Sequence, residues 1–144
     1  MDMYREPWFK WLAVTLVVGS VAFVLTPLWP VPRGAQPPDN LLPMFVALML
    51  IESISFGLGV AFVIFGRPLL GRMGGPAGLT TAAYLAIAFL LLNWWPHDNM
   101  HHVTGFSWTG LVLVEYGFHL PLIVAGAVLA WFFVSLAQQR LAHA

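Results

Sequence analysis

Four long runs of apolar residues divide this chain, and short segments rich in proline, glycine or charge separate them. The runs cover about residues 8–28, 41–65, 77–95 and 107–137. An α-helix rises about 1.5 Å per residue, so each run has the length needed to cross the roughly 30 Å of hydrocarbon in a bilayer. The pattern predicts an all-α integral membrane protein whose residues 1–144 form one domain, a bundle of four transmembrane helices.

The segments between the runs contain residues that end helices. Five prolines between Pro27 and Pro38 predict a stiff, extended loop, because proline lacks a backbone donor and restricts the residue before it. A basic turn rich in glycine covers residues 67–76. Within the fourth run, Pro121 is expected to kink the helix.

Composition supports a membrane as the solvent of this protein. The chain is 60% hydrophobic and 8% charged, with a mean hydropathy of +0.82, whereas about a quarter of the residues in a soluble domain are charged. Six basic and six acidic residues cancel, so no basic surface recruits nucleic acid. The absence of cysteine excludes thiolate metal sites and iron–sulfur clusters held by this chain alone.

The placement of arginine and lysine predicts the orientation in the membrane. Five of the six basic residues lie at the two termini and in the loop after the second run: Arg5, Lys10, Arg67, Arg72 and Arg140. Only Arg33 lies in the two opposite loops. We therefore expect a multi-pass protein of a bacterial or archaeal plasma membrane, with both termini in the cytoplasm and residues 96–105 outside.

Two short similarities indicate a tandem repeat of two helical hairpins. Residues 48–52 end in a glutamate after four apolar residues, as residues 111–115 do, and a Trp-Pro pair follows both the first and the third run. Parallel repeats of this kind place equivalent groups around an axis along the membrane normal. The alternative is convergent use of the same residue types at the same depth.

A ten-residue stretch around Pro96 holds three of the five histidines of the chain. If the third helix continues through Pro96, His97 and His101 share one face, and Asp98 and His102 share the adjacent one. Imidazole and carboxylate groups are ligands suited to zinc, copper or iron. We therefore expect His97, Asp98 and His101 to converge on one extracytoplasmic metal site, with His102 or Glu115 as a fourth group, although Asp98 could instead orient an imidazole. The alternative is a set of interfacial histidines that only solvate a loop.

Three further polar residues fall inside predicted membrane helices: Glu52, Glu115 and His119. An ionised acid at mid-bilayer costs about 2.5–3.5 kcal/mol, so both glutamates are expected to turn into the bundle. Glu115 and His119 stand four residues apart, and we add them to the predicted metal-binding set. The prediction is an intramembrane site between the second and fourth helices. The alternative is a neutral Glu that joins helices through a backbone carbonyl or a hydroxyl group. The hydroxyl groups within reach are those of Ser53, Ser55 and Tyr84.

The His-x-x-x-His-His spacing resembles the histidine motifs of membrane di-iron desaturases and hydroxylases. Those enzymes combine several such boxes, whereas this chain has five histidines in all, one of them His143 in the C-terminal tail. The resemblance therefore does not extend to a desaturase activity. Haem between His119 and a second histidine suits a four-helix bundle, but the other histidines lie nearer the outer end, so a single transition metal ion is favoured.

The sequence favours a small membrane protein that binds a metal ion or protons, or an accessory subunit of a larger membrane complex. Two alternatives stay open: a purely structural subunit, and a small enzyme that uses Glu and His in acid–base chemistry on a lipid or isoprenoid. The expected partners are membrane lipids and either other subunits or further copies of the chain. Stripes of small residues predict close helix packing. They are Ser53, Gly57 and Ala61 on the second helix, and Gly126 and Ala130 on the fourth.

Overall fold

The computed structural model describes residues 8–30, 38–105 and 107–142, and all regular structure in these residues is helical. The helices are α1 (Trp8–Leu25), a following 3-10 turn (Thr26–Leu28), α2 (Leu42–Phe65), α3 (Arg67–Gly71), α4 (Ala77–Thr104) and α5 (Trp108–Ala142). Four of them, α1, α2, α4 and α5, are long and apolar enough to cross a membrane. The all-helical prediction with four candidate membrane spans is therefore confirmed for the described residues.

One boundary differs from the prediction in a way that determines the site. The third long helix was expected to end near Trp95, but α4 continues through Pro96 to Thr104. Proline removes one backbone hydrogen bond without forcing a helix to end, since its fixed φ suits helical backbone. The helix ends instead at Gly105, whose φ of +53° favours a residue without Cβ.

The four long helices pack in a row. Among the described residues, the extensive contacts join α1 to α2, α2 to α4 and α4 to α5. Helix α4 therefore lies between α2 and α5. This arrangement corrects the expectation of a site formed directly between the second and fourth membrane helices.

Glycine permits the closest helix contact. A Cβ atom on Gly57 would collide with the carbonyl oxygen of Thr15 and lie 2.7 Å from the backbone nitrogen of Gly19. The predicted small-residue stripe of the second helix therefore does pack, against α1. Gly126 is exposed and has no atom near its Cβ position, so the predicted stripe on the fourth helix packs against nothing in the described residues.

Aromatic contacts fill the interior at the end of the molecule away from the α4–α5 turn. Phe62 of α2 contacts Trp11 edge-on and stacks on Tyr84, with ring centroids 6.3 and 5.4 Å apart. Phe132 and Leu136 of α5 complete this buried cluster. Many large apolar side chains elsewhere on the long helices are exposed, as expected for helices whose solvent is lipid.

Several sequence predictions lie beyond what the structure describes. Arg5 and Arg33, on which the predicted orientation partly depends, and His143 are outside the described residues. The orientation, the kink at Pro121 and the tandem repeat remain predictions.

Candidate metal centre between α4 and α5

Four side chains from two neighbouring helices meet close to the turn that joins α4 to α5. His97 and His101 stand four residues apart on α4, and their Nε2 atoms are 2.9 Å apart. Across the helix interface, Oε1 of Glu115 lies 3.4 Å from Nε2 of His101. His119 contacts the same carboxylate, with its Nδ1 2.8 Å from Oε2. Four of the sequence-predicted site residues therefore form one cluster.

The spacing of these groups matches the spacing of metal ligands. The ligand atoms of His97, His101 and Glu115 all lie within 4.8 Å of one another. A tetrahedral zinc ion has bonds of about 2.0–2.1 Å, which places neighbouring ligand atoms about 3.3 Å apart. The observed separations of 2.9 Å and 3.4 Å lie on either side of that value. These three groups could hold a metal ion.

His119 contacts the carboxylate in a way that differs from the other two histidines. Its Nδ1 faces both Oε2 of Glu115 and, at 3.0 Å, the backbone carbonyl oxygen of the same residue. Because both neighbours are hydrogen-bond acceptors, Nδ1 carries the proton and donates it. The imidazole of His119 thereby fixes one carboxylate oxygen and leaves the other turned towards His101.

The remaining residues of the predicted set lie on the adjacent face of α4. Asp98 and His102 pair with each other, with Oδ2 3.6 Å from Nε2. The carboxyl group of Asp98 also lies beside that of Glu52 on α2, close enough to interact with it electrostatically. Asp98 and His102 are therefore not part of the three-ligand group.

The partner of Glu52 was not anticipated from the sequence, which offered three hydroxyl groups. Two of these hydroxyls instead donate to backbone carbonyls across the α2–α4 interface: Tyr84 to Val63 at 2.6 Å and Ser55 to Leu91 at 3.1 Å. The third, Ser53, is buried and has no hydrogen-bond partner within the described residues. Asp98, the acidic neighbour of Glu52, lies in the part of α4 that extends beyond the predicted end at Trp95.

The two glutamates within the long apolar helices differ in burial. Glu52 is 7% exposed, as expected for an acid turned into the helix row. The side chain of Glu115 is 49% exposed, which contradicts the expectation that both would be buried. Helix α5 lies at the end of the row, so only one of its faces is covered, and Glu115 stands at the edge of that face.

A cavity lies on the other side of the same histidines. It has a volume of about 480 Å³ and lies between α2 and α4. The polar groups at its wall belong to Glu52, Ser55, His97, Asp98 and His101. The metal-ligand cluster and this cavity therefore share two imidazoles.

The arrangement of the rings argues against haem. His97 and His119 contact each other edge-on, with ring centroids 5.0 Å apart and ring planes at 89°. A haem held by two histidines lies between them as a flat macrocycle. Rings already in contact leave no space for it, so a single ion suits the cluster better.

No protein-family model matches this chain, and no curated protein or solved structure is significantly similar to it.

Proposed function

We propose that this chain is a small membrane protein that binds one divalent transition metal ion through His97, His101 and Glu115. In this proposal His119 positions the carboxylate, and the site lies at the outer end of the membrane spans. The observation that carries the proposal is the convergence of three ligand atoms from two helices within 4.8 Å of one another.

The type of ion follows from the ligands. Two imidazole nitrogens and one carboxylate oxygen suit zinc, copper, iron or nickel, whereas calcium and magnesium prefer oxygen ligands throughout. The chain offers no thiolate, which disfavours copper(I). Zinc and copper(II) are therefore the ions to test first.

Charge supports an ion at this depth. Glu115 lies two turns into a helix that is apolar enough to cross a membrane, and half of its side chain is uncovered. An ionised acid facing hydrocarbon is penalised, and a bound cation removes that penalty by neutralising the carboxylate. The exposed apolar faces of the long helices suit lipid, further subunits or both.

The test is the metal content of the protein purified in detergent. After dialysis against zinc or copper(II) and removal of free ion, elemental analysis should find about one ion per chain, since the groups form a single cluster. His101→Ala should abolish most of this binding. His102→Ala is the matched control, because His102 is the adjacent histidine of the same helix and pairs with Asp98 instead.

Equal metal content in the wild type and His101→Ala would refute the proposal. Absence of ion from all three proteins would also refute it and would favour a structural subunit. Loss of the ion from His102→Ala alone would move the site to the α2 side of α4.

A further inference from the structure

The two histidines of the proposed metal centre also border a cavity. Glu115 and His119 approach the histidines of α4 from α5. On the α2 side, the same His97 and His101 form part of the wall of the 480 Å³ cavity. No residue of α5 contributes to that wall. His97 and His101 are thus shared between the ligand cluster on the α5 side and the cavity on the α2 side.

The uncovered side, on α5 itself, is unsuited to a polar ligand. Exposed apolar or aromatic side chains near Glu115 along α5 are Val112, Leu113 and Tyr116. In a membrane this surface meets hydrocarbon, which offers no hydrogen bonds to a polar molecule. The wall of the cavity is also mostly apolar, but it adds two carboxyl groups and a hydroxyl group beside the two imidazoles.

We propose that a metal ion held by His97, His101 and Glu115 keeps one coordination position open towards the α2–α4 cavity. The cavity then takes a small neutral molecule with a hydroxyl or amide group, which binds the ion and the Glu52–Asp98 pair together. This inference rests on the proposed function. It makes the site an open one, of the kind found in catalytic and ligand-binding metal centres, as opposed to a closed structural one.

The size and chemistry of the cavity define the ligand class. A water molecule takes about 30 Å³ of liquid, so the 480 Å³ cavity holds far more than one water. Pockets for small organic ligands measure about 300–1,000 Å³. The carboxyl groups of Glu52 and Asp98, which both line the cavity, offer acceptors to a hydroxyl or amide donor. Leu48, Ile51 and Trp94 form the apolar wall beside it.

The experiment uses cobalt(II) as the spectroscopic ion and acetohydroxamic acid as the probe. This small molecule is neutral in solution, releases its N–OH proton to the buffer when its oxygens bind a metal ion, and keeps an amide N–H donor. The full chain in detergent is loaded with cobalt, and its visible absorption is followed as the probe is added. The wild type should show a saturable change in the cobalt bands. Cobalt content measured after gel filtration checks that the probe has not removed the ion.

Two variants narrow the cavity without touching a metal ligand. Ile51→Trp and Leu48→Trp each place an indole at the cavity wall and should weaken probe binding at least about tenfold, equivalent to about 1.4 kcal/mol. Both should still bind cobalt. Ile64→Trp is the control, because Ile64 is a similarly exposed isoleucine of the same helix, at its far end.

Each outcome has one meaning. Cobalt binding with a probe response lost in both cavity variants and kept in Ile64→Trp supports the inference. Cobalt binding without any probe response, or with the same response in all variants, overturns the open position and leaves the proposed metal site standing. No cobalt binding in the wild type overturns the proposed function itself.

Discussion

The role of His119 offers the sharpest test of the cluster, because the structure assigns its two ring nitrogens different tasks. Nδ1 donates to Glu115 at 2.8 Å, so His119 should act through the carboxylate and not on the ion. His119→Asn keeps a side-chain N–H donor close to the Nδ1 position and removes Nε2. His119→Ala removes both. The two substitutions therefore separate a positioning role from a ligand role.

The magnitude follows from the contact. A hydrogen bond to a charged group contributes about 1.5–3 kcal/mol. The side chains of His119 and Glu115 are 47% and 49% exposed. Competition from water and screening by salt therefore reduce this contribution to about 1 kcal/mol. His119→Ala should then weaken ion affinity roughly fivefold, since about 1.4 kcal/mol corresponds to a factor of ten. His119→Asn should stay within about twofold of the wild type, because the donor is kept.

Loss of a true ligand would be far larger. Structural zinc sites bind with about 10–16 kcal/mol, or roughly 2.5–4 kcal/mol for each of four ligands. His101→Ala should therefore weaken affinity about a hundredfold or more. Competition with a chromophoric chelator, in detergent at fixed pH, measures all of these affinities on one scale. If His119→Asn and His119→Ala both lost affinity as strongly as His101→Ala, His119 would be a ligand and the assignment from Nδ1 would be wrong.

Three further predictions concern packing, topology and pH. Gly57→Ala should destabilise the protein by about 1–3 kcal/mol, because the new Cβ meets the Thr15 carbonyl. Gly126→Ala adds its Cβ in open space and should not destabilise the protein. Equal unfolding temperatures of the two variants in detergent would contradict the packing. In intact cells, cysteine at Asn40 should react with an impermeant thiol reagent and cysteine at Gly71 should not, and the reverse labelling would invert the predicted topology. Acidification below the ordinary histidine pKa of about 6.5 should release the ion, since protonated imidazole has no free lone pair; retention at pH 4, measured by dialysis, would exclude histidine ligands.

The residue types and helical spacing of the site could be predicted from the sequence. Which of these residues meet in one cluster, and which lie on the adjacent face of α4, could not be fully predicted. His97 and His101 were predicted to share a face, and they do, because residues four apart on a helix are neighbours. Asp98 follows His97 directly, and consecutive helical residues do not face the same way. That rule alone separates Asp98 from the imidazole pair. What it meets instead, Glu52, depends on the order of the helices in the row.

The helix order could not be predicted because apolar membrane helices offer little pattern to distinguish one face from another. The sequence predicted the four long apolar helices, and it identified Gly57 as a contact point. It gave no reason to place α4 between α2 and α5. It also ended the third long helix near Trp95 and left open whether the segment after it is helical, whereas Pro96 lies inside α4. The expected site between the second and fourth spans rested on the polar residues inside those two helices and did not take the order of the helices into account.

The connection between α4 and α5 explains why the metal ligands meet. The turn is short, and the backbone N–H of Ser107 donates to the carbonyl of Thr104 at 3.1 Å. Two antiparallel helices joined by a tight turn bring together residues equally far from it on either side. His97 and Glu115 satisfy this condition, and His101 and His119 each lie one turn away on the same two faces. The ligand set is thus contained in a single hairpin, whereas the cavity beside it also requires α2. Loosening α2 from α4 should therefore remove the cavity and spare the ion, which is why the metal site and its open position can be tested separately.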